Sequence, residues 1–505
     1  MKTRQETEFG DFQTPPELAG RVCQVVASRG FHPAAIVEPT CGRGSFLLAA
    51  LRQFPEARVA LGVEINGAYL EEARQNLSDK FSTPPVELCK GDFFRFDWPG
   101  ALKKLPEPIL IIGNPPWVTN AGLGGLDSHN LPAKSNFQKR RGLDAVTGKS
   151  NFDIAEWMII HLLEWLDGRR ATVAMLVKSS VARKALAHAW KSGIAVTDAS
   201  MLTFDAHEYF GAAVDACLLV CALGQKPSAL ECRISDLDHP DRVARTMGYE
   251  DGMLLADKAA FDRWHPLLKD PLCESPYRWR SGIKHDCAAV MELRQEGAAL
   301  QNGLSEPLDI EDDCVFPLAK GSDVARNRAS HPTRAVIIPQ KEMGQDTAYL
   351  ALTAPRTWKY LCAHGEALDA RRSSIYRNRP RFSIFGVGKY TFAPWKVAIC
   401  ALYKTLEFAV VGSHQGKPVV LDDTCYHLSC GTQEEANLLA AMMNSRIAKE
   451  FLEAFIFWDA KRPVTIELLS RLDITALADE LGEKEPLVRL RPDLSARDML
   501  EKTLF

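Results

Sequence analysis

The sequence predicts an α/β protein with an open, mostly parallel sheet of about seven strands, followed by a second domain of mixed α+β structure. Between residues 35 and 222, short aliphatic or β-branched runs alternate with longer segments of helical periodicity, which is the pattern of a parallel sheet covered by helices. After about residue 235 this alternation gives way to less regular segments. The chain has 505 residues, whereas single domains usually have ~100–200, so more than one domain is expected.

Seven runs in the first half are predicted strands, and one long segment between the fourth and fifth is a predicted amphipathic helix. The strands cover residues 35–38, 59–65, 86–92, 109–114, 171–178, 196–204 and 214–222. The helix covers residues 151–168 and places Ile154, Trp157, Met158 and Leu162 on one apolar stripe. Sheets of this kind bind ligands beyond the carboxyl ends of their strands, so the turns that follow the strands are the candidate site.

The second half contains four further strand-like runs, at residues 334–339, 396–403, 407–411 and 425–429. We therefore predict two domains, residues 1–235 and 236–505, with a subdivision of the second near residue 400. The composition, 46% hydrophobic and 25% charged, is typical of a globular protein.

The composition also excludes several classes of protein. With 61 basic and 64 acidic residues, the chain is not uniformly basic, so any nucleic-acid face is local. No run approaches the ~18–20 apolar residues that cross a bilayer, and residues 1–10 do not form a secretory signal, so we expect a cytoplasmic protein with no membrane partner. The 13 cysteines include no C-x-x-C pair and indicate reduced thiols. Neither Cys217 with Cys221 nor Cys425 with His427 and Cys430 has the spacing of a zinc site, so no metal is expected.

A loop with two glycines follows the first predicted strand. Its sequence, EPTCGRGSF at residues 38–46, leads into a helix. The candidate ligand contacts in it are Glu38, Thr40, Cys41, Gly42 and Gly44. Glycines between a strand and a helix allow a tight turn and a close approach of a ligand to the backbone. An ordinary tight turn has the same pattern, so the loop alone does not define a ligand.

Two carboxylates follow at the ends of the next two strands. Glu64 lies where doubly wound folds place an acid on ribose hydroxyls. Asp92 can accept a hydrogen bond from an adenine amine while the ring of Phe93 packs on the adenine face. Either acid alone could cap a helix, but three such turns in succession predict a nucleoside cofactor. Because Glu38 would repel a pyrophosphate and the full G-x-G-x-x-G is missing, the cationic S-adenosylmethionine fits better than a dinucleotide.

The fourth strand runs into Asn114-Pro115-Pro116-Trp117, the most informative tetrapeptide of the chain. The prolines fix the backbone, so the carbonyl of Pro115 and the side-chain oxygen of Asn114 can accept both hydrogens of an exocyclic NH2 group. Such a grip would direct the nitrogen lone pair at the sulfonium methyl, and we expect Asn114 to contact the cofactor as well. Trp117 would stack on an extruded base. A stiff turn with a core tryptophan is the alternative.

These turns, in this order, resemble those of the gamma-class amino-group DNA adenine-N6 methyltransferases of restriction-modification systems. That family has a Rossmann-like class I methyltransferase sheet and a carboxyl-terminal target recognition domain. The resemblance includes DFQTPP at residues 11–16, which looks like the motif that closes over the methionine end of the cofactor. It implies that Thr14 binds the cofactor carboxylate, Glu64 the ribose and Asp92 the adenine amine, with Phe93 stacking on the ring.

A later motif, FGAAVDA at residues 210–216, resembles the one whose aromatic residue contacts the extruded base. The resemblance implies that Phe210 forms the second wall of the base pocket, opposite Trp117. A buried core phenylalanine is the alternative. This chain has tryptophan in the catalytic turn where the family more often has tyrosine or phenylalanine, which preserves stacking and removes a hydroxyl.

The second half contains looser matches to recognition domains, SGIKHDC at residues 281–287 and FSIFGVGKY at residues 382–390. Between them lies RRSSIYRNRPR at residues 371–381, whose arginines can meet phosphates or read guanine. The candidate DNA contacts are Arg372, Arg377, Arg379, Arg381, Lys389 and Tyr390. A solvated basic surface is the alternative. Residues 134–141 (KSNFQKRR) are interpreted as a loop over the target strand.

The expected partner is double-stranded DNA, bound by a monomer, with a separate restriction endonuclease as a second partner. Cytosine N4, an RNA base and a protein glutamine are alternative acceptors, because the nitrogen lone pair in each is delocalised and must be directed at the methyl group in the same way. An alternative of another class is a catalytically inactive DNA-binding specificity module. The intact Asn114 turn and the glycine loop argue against it.

Overall fold

The structure, a computed structural model, describes residues 13–78, 84–118, 153–225, 230–273, 275–296 and 299–492. The chain divides into two compact units, Met1–Ala259 and Ala260–Phe505. Three predicted features fall outside the described residues: Asp11 and Phe12 of the amino-terminal motif, the first two residues of the predicted helix at 151–168, and the basic loop at 134–141.

The first unit is built on a ten-stranded sheet. Its strands are β1 (Ala35–Glu38), β2 (Val59–Glu64), β3 (Val86–Lys90), β4 (Ile109–Gly113), β5 (Ala171–Lys178), β6 (Val196–Asp205), β7 (Asp215–Leu223), β8 (Glu231–Asp236), β9 (Arg245–Glu250) and β10 (Met253–Leu255). Their order in space is β10-β9-β8-β6-β7-β5-β4-β1-β2-β3. Neighbours from β5 to β3 are parallel, and β7 is antiparallel to both β5 and β6. The predicted α/β class with a mostly parallel, Rossmann-like sheet is confirmed.

Burial explains why the central strands are aliphatic. Every residue of β1 and β4 is buried, and in β5 only the last residue is not. Strands covered on both faces lack the alternating pattern of a half-exposed sheet. Strand β1 pairs with β2 on one side and with β4 on the other, so the order of the strands reverses there. Ligands bind at such switch points, which sets the position of the site.

Three strands extend the first sheet beyond the predicted boundary at residue 235. Strand β8 pairs with β6, and β9 and β10 follow in antiparallel order. The first unit therefore continues to Ala259. Strand β8 has the sequence ECRISD and is exposed at two of its positions, so it lacks the buried aliphatic run by which the other strands were recognised.

The helices described in the first unit pack against this sheet and against each other. They are α1 (Pro16–Ser28), α2 (Ser45–Gln53), α3 (Gly67–Ser78), α4 (Trp98–Lys103), α5 (Ile154–Trp165), α6 (Ser179–Ser192) and α7 (Ala206–Phe210). Helix α5 begins after Asp153, whose side chain accepts a hydrogen bond from the backbone N–H of Ala155 at 3.1 Å. Its predicted apolar stripe is buried except at Trp157, which is half-buried. No helix in the described ranges is long and apolar enough to cross a membrane.

The second unit contains two sheets. Its strands are β11 (Arg280–Ser281), β12 (Glu292–Glu296), β13 (Ala299–Asn302), β14 (Pro307–Leu308), β15 (Val315–Ala319), β16 (Arg334–Ile337), β17 (Trp395–Cys400), β18 (Ala409–Val411), β19 (Val420–Leu421) and β20 (Cys425–Cys430). The sheets have the orders β11-β20-β17-β18 and β14-β13-β12-β16-β15-β19. Strand β17 ends at residue 400 and pairs with β18 and β20, which both follow that residue in the chain, so the unit continues through that point.

Short helices connect these strands. The α-helices are α8 (Lys258–Trp264) at the boundary between the units, α9 (Ala288–Met291), α10 (Gly321–Ala325), α11 (Leu350–Thr353), α12 (Pro355–Ala363), α13 (Gly365–Asp369), α14 (Gln433–Met443), α15 (Arg446–Glu453), α16 (Ile466–Leu469), α17 (Ile474–Glu480) and α18 (Lys484–Leu490). Single 3-10 turns occur at His265–Leu267, Asp312–Cys314, Thr347–Tyr349, Ser374–Tyr376 and Lys389–Phe392. The predicted α+β character of the second half is therefore present, with strand pairing that the irregular sequence did not indicate.

A lysine and a histidine are buried in the four-stranded sheet. Lys396 on β17 is 1% exposed and His427 on β20 is 2% exposed. The ammonium of Lys396 donates to the carbonyl of Ala393 at 2.7 Å. Burial lowers the pKa of Lys396 to about 7, and burial together with the charge of Lys396 lowers the pKa of His427 to about 3. The folded unit therefore favours the neutral imidazole.

We expect the second unit to lose stability as the pH falls below about 6.5, because His427 then binds a proton more readily in the unfolded chain than in the folded one. Since the folded pKa is the lower one, the stabilisation is complete above the unfolded pKa. Below it, the stabilisation decreases by up to ~1.4 kcal/mol per pH unit until the folded pKa is reached. Urea denaturation at several pH values measures this slope.

The variant His427→Leu should flatten the slope. His331→Leu is the matched control, because His331 belongs to the same unit and is exposed. An unchanged slope in the His427 variant would contradict the expectation.

Candidate functional site

A cavity opens at the carboxyl ends of β1 to β4. Its volume, including space continuous with solvent, is about 650 Å³, within the range of ligand pockets. All four turns predicted from the sequence contribute to its lining, through Thr40, Glu64, Asp92, Phe93 and Pro116. The structure therefore brings together predicted residues from Thr40 to Pro116, which are 76 positions apart in the chain.

The glycine loop has a backbone that suits glycine. Gly42 has a φ of +50° and Gly44 a φ of +80°, both in the left-handed region that other residues rarely adopt. A Cβ on Gly44 would also lie 3.3 Å from the Cβ of Ala73, so the loop and α3 approach closely. The thiol of Cys41 is buried and its pKa is raised by that burial. Cys41 therefore shapes the loop as a packed side chain rather than as a reactive one.

Glu64 joins the loop after β1 to the turn after β2. One carboxylate oxygen accepts the backbone N–H of Gly42 at 2.8 Å, and the other accepts that of Asn66, also at 2.8 Å. Because both oxygens are engaged by rigid backbone donors, the carboxylate is held in one orientation at the wall of the cavity. Carboxylate oxygens have further lone pairs, and these can accept hydrogen bonds from hydroxyl groups.

Glu38 has a different position from the one predicted. It is 3% exposed and is not among the residues that line the cavity. Its carboxylate accepts the backbone N–H of Leu47 in the first turn of α2 at 3.0 Å. Burial raises the pKa of Glu38 well above its usual value, and the nearby Glu64 raises it further. Glu38 therefore secures α2 behind the loop, and the expected direct attraction of a cationic ligand does not follow from its position.

Asp92 and Phe93 form the third side of the cavity. Asp92 accepts the backbone N–H of Phe94 at 3.0 Å, which fixes the turn after β3. Phe93 is 6% exposed, and its ring centroid lies 5.1 Å from that of Trp98. The indole N–H of Trp98 donates to the carbonyl of Phe93 at 3.0 Å. The aromatic cluster thus supplies a flat, rigid and apolar surface beside a carboxylate.

Several lining residues were not singled out from the sequence. They are Asn66, Tyr69, Phe94, Val118, Ile154 and Met158, among others. Asn66 and Phe94 each follow a predicted acid, Glu64 or Asp92, by two residues, so their position in these turns could have identified them. Ile154 and Met158 come from α5, where their helical spacing indicated only a buried face.

The Asn114 turn borders the cavity through Pro116. The side chain of Asn114 is half-buried, and its Nδ2 donates to the hydroxyl of Thr14 at 3.3 Å. Gln13 lies against the glycine loop, since a Cβ on Gly42 would be 3.1 Å from its side-chain oxygen. Residues 13 and 14 therefore contact both the loop and the turn. The contact that the structure gives Thr14 is with Asn114, whereas the resemblance implied one with the cofactor.

Trp117 and Phe210 touch each other. Their ring centroids are 5.3 Å apart and their planes are inclined by 73°. A base between two rings needs about 7 Å, which is twice a van der Waals contact, so this arrangement leaves no such gap. Trp117 is 6% exposed and its indole N–H donates to the carbonyl of Leu176 at 3.1 Å. The predicted pair of opposed walls is thus replaced here by an edge-to-face contact with an anchored tryptophan.

The two matched segments of the second unit lie side by side. Lys284 and Phe385 exchange backbone hydrogen bonds, both of 2.9 Å. The hydroxyl of Tyr376 donates to the carbonyl of Lys284 at 3.1 Å, and the guanidinium of Arg280 lies 4.9 Å from the ring centroid of Tyr390. Segments about 100 residues apart in the chain thus form one local surface.

The arginines of the basic segment differ in their surroundings. Arg372, Arg377 and Arg379 are exposed, and none forms an ion pair within the described part of the chain. Arg381 pairs with Asp369 at 2.8 Å. Lys389 is exposed and Tyr390 is half-buried. Three of the six candidate DNA contacts are therefore arginines whose charge is not neutralised by a described side chain.

The residues of the cavity fit an adenosine cofactor with a cationic end. The hydroxyl of Thr40 is buried and has no hydrogen-bond partner among the described residues, which indicates a polar ligand nearby. Two carboxylates, Glu64 and Asp92, lie in a mainly apolar lining, and they supply the acceptors that the hydroxyls of a ribose and an amine require. No group of three or more potential metal ligands occurs in the ranges that the structure describes.

Comparisons with known proteins bear on the family of the chain. No family model matches the chain. The type II methyltransferase M.NspV from Nostoc sp. (strain ATCC 29411 / PCC 7524) is 44% identical over 478 residues, which cover 94% of this chain and 98% of that protein. The type II methyltransferase M.CvrRI from Paramecium bursaria Chlorella virus XZ-6E is 29% identical over 119 residues, 24% of this chain and 27% of that one.

Among solved structures, the type IIL restriction-modification enzyme MmeI, in complex with DNA, is similar in fold with a TM-score of 0.52. The identity is 12%, and the match covers 90% of this chain and 64% of that one, so the chain spans less than two thirds of that neighbour. The long match to M.NspV extends over both units rather than over the catalytic turns alone. The chain therefore belongs to the type II methyltransferases, and its methyl donor is S-adenosylmethionine.

Proposed function

We propose that this protein is a site-specific DNA methyltransferase that transfers a methyl group from S-adenosylmethionine to N6 of an adenine extruded from double-stranded DNA. The family makes it a DNA methyltransferase of the restriction-modification type, and the proposal adds the base and the atom. It assigns catalysis to the first unit, which continues past the predicted boundary at residue 235 to Ala259, and target recognition to the second. The observation that carries it is the position of the Asn114 turn at the edge of the cofactor cavity.

The orientation of Asn114 supports an amino group as the acceptor of the methyl group. Its Nδ2 donates to Thr14, so the side-chain oxygen lies on the other branch of the amide. That oxygen and the carbonyl of Pro115 would accept the two hydrogens of the adenine N6 amine. The amine nitrogen gains positive charge as the methyl group is transferred, and the negative ends of two fixed dipoles stabilise that charge.

S-adenosylmethionine, when bound, supplies the electrophilic methyl group on its sulfonium. The roles proposed for Thr40, Glu64, Asp92 and Phe93 are to bind and orient the adenosine part. Glu38, Cys41, Gly42 and Gly44 would act indirectly, by fixing the loop. The N6 nitrogen forms its bond to carbon as the carbon–sulfur bond breaks, and its extra proton then leaves to water, so no carboxylate base is needed.

The surface of the second unit supports DNA rather than a small protein acceptor. The exposed Arg372, Arg377 and Arg379 occupy one short segment beside the paired segments 281–287 and 382–390. Arginines in such an arrangement contact phosphates and guanine edges. We further propose that the enzyme acts as a monomer on DNA in the cytoplasm and protects sites that a separate restriction endonuclease cuts.

Cytosine N4 is the second candidate acceptor, because the same turn can grip any exocyclic amine. Asparagine at the first position favours adenine, since a serine often stands there in cytosine N4 enzymes. Mapping the modified base in DNA methylated by the purified protein separates the two. Label from S-adenosylmethionine found only on RNA or protein would overturn the DNA assignment, and no transfer at all would favour an inactive specificity module.

The variant Asn114→Ala should lower the single-turnover rate of DNA methylation by about 10²–10³, because it removes an acceptor that acts on the charge of the transition state. The affinity for S-adenosylmethionine should change by less than about threefold. Asn437→Ala is the matched control, since Asn437 is exposed on α14 of the second unit. A normal rate in the Asn114 variant would rule out the proposed mechanism.

The variant Glu64→Ala should weaken the binding of S-adenosylmethionine at least ~10-fold, or about 1.4 kcal/mol, because it frees the N–H groups of Gly42 and Asn66 and removes the proposed ribose contact. Isothermal titration calorimetry measures this. Glu71→Ala, a change on the exposed face of α3, is the control and should bind normally. Equal affinities of the two variants would contradict the assigned role of Glu64.

Changing Arg372, Arg377 and Arg379 together to Ala should weaken DNA binding and make it less dependent on salt. If each arginine contacts one phosphate, the slope of log affinity against log salt concentration decreases by about 2–3. Fluorescence anisotropy over a range of salt concentrations measures the slope. Arg356→Ala is the control, because Arg356 is exposed but paired with Asp309 and Glu311. An unchanged slope in the triple variant would place the DNA elsewhere.

A further inference from the structure

We infer that Lys178 is a positioning residue for methyl transfer, which holds the catalytic turn through the carbonyl of Trp117. The inference rests on the proposed role of Asn114 in the same turn. Lys178 was not singled out from the sequence, where it is an isolated lysine at the end of a strand.

The contacts of Lys178 are short and largely shielded from solvent. Its ammonium donates to the carbonyl of Trp117 at 3.0 Å and to a carboxylate oxygen of Asp153 at 2.6 Å. The Lys178 side chain is 21% exposed and that of Asp153 is 8% exposed. Charge-assisted bonds of this length are stronger and more directional than neutral ones, so the carbonyl is held in place.

The strand pairing places Lys178 next to the Asn114 turn. Lys178 is the last residue of β5, which pairs in parallel with β4 so that Gly113 lies opposite Met175. The chain that leaves β4 as the Asn114 turn therefore passes beside the end of β5. Lys178 also immediately precedes α6, and its backbone is fixed by strand and helix on either side.

The same lysine joins two segments that form one wall of the cofactor cavity. The backbone N–H of Ile154 donates to the carbonyl of Val118 at 3.0 Å, and both residues line the cavity. Lys178 bridges the residues just before each of them, Trp117 and Asp153. Asp153 in turn caps α5. The turn, the cavity wall and α5 thus share one ionic connection.

Electrostatics explain why the lysine is paired. An unneutralised ammonium near the target amine would oppose the positive charge that develops on the nitrogen during transfer. The carboxylate of Asp153 compensates that charge at 2.6 Å, so Lys178 can act as a clamp without this penalty. A displacement of about 1 Å in the reacting groups lowers rates by about 10²-fold, which is the scale on which loss of the clamp would act.

A matched pair on the same two helices provides the control. Lys184 on α6 donates to Glu156 on α5 at 2.8 Å, and Glu156 is fully buried. Within the described residues, the contacts found for Lys184 do not include residues 114–117. Removal of this pair therefore disturbs the same interface and leaves a buried carboxylate without its lysine, but does not touch the turn.

The test compares Lys178→Met with Lys184→Met in the full-length protein. We measure the single-turnover rate with saturating DNA and S-adenosylmethionine, the affinity for S-adenosylmethionine, and the melting temperature. Lys178→Met should lower the rate at least ~10-fold with less than about threefold change in affinity. Lys184→Met should lower the melting temperature at least as much and leave the rate within about twofold.

Two further variants keep the test decisive. Lys178→Arg retains the charge and the donors, and should recover part of the rate. If Lys178→Met does not fold, Lys178→Gln replaces it, because its neutral amide still fills the site and can donate one weaker bond. Its rate should lie below that of Lys178→Arg.

The outcomes separate this inference from the proposed function. Equal rates for Lys178→Met and Lys184→Met, with Asn114→Ala inactive, would overturn the role of Lys178 alone. A fully active Asn114→Ala would overturn the proposed function, and the inference with it.

Discussion

The parallel pairing of β1 with β4 is the constraint on which the site depends. It makes these strands neighbours although 70 residues, 39–108, lie between the end of β1 at Glu38 and the start of β4 at Ile109, and it directs the glycine loop and the Asn114 turn into one crevice. Strand β2 then adds Glu64, whose carboxylate bonds the loop on one side and its own turn on the other. Without that strand order, the turns that line the cavity would not converge on one crevice.

Much of this arrangement could be predicted because it depends on short patterns in the amino-acid sequence. Buried parallel strands are continuous aliphatic runs, and a glycine, an acid or an N-P-P turn at the end of each run indicates the crevice. The class of the fold, the seven strands and the turns that line the cavity were predictable in this way. The strands β8 to β10 were not, because short, partly exposed strands carry little hydrophobic pattern.

The roles of single side chains were harder to predict from the sequence, because they depend on the direction in which each side chain points. A carboxylate at the end of a strand can line the cavity, as Glu64 does, or support the helix behind the loop, as Glu38 does. Lys178 shows the same limit: its partners Trp117 and Asp153 are far from it in sequence, and one lysine without a pattern is no signal. In the basic segment, the difference between the exposed Arg372, Arg377 and Arg379 and the paired Arg381 likewise became visible only when Asp369 was found beside Arg381.

The contact between Trp117 and Phe210 has a consequence for how a substrate is admitted. Trp117 is tied to the sheet through its indole N–H, whereas Phe210 is the last residue of a five-residue helix that ends at a glycine. Entry of a nucleobase between the two rings would thus require Phe210 to swing aside and exchange one aromatic partner for another. In the proposed reaction the closed ring pair would then be a barrier to entry, which a base already loosened from its stack would cross more readily than one held firmly in the duplex.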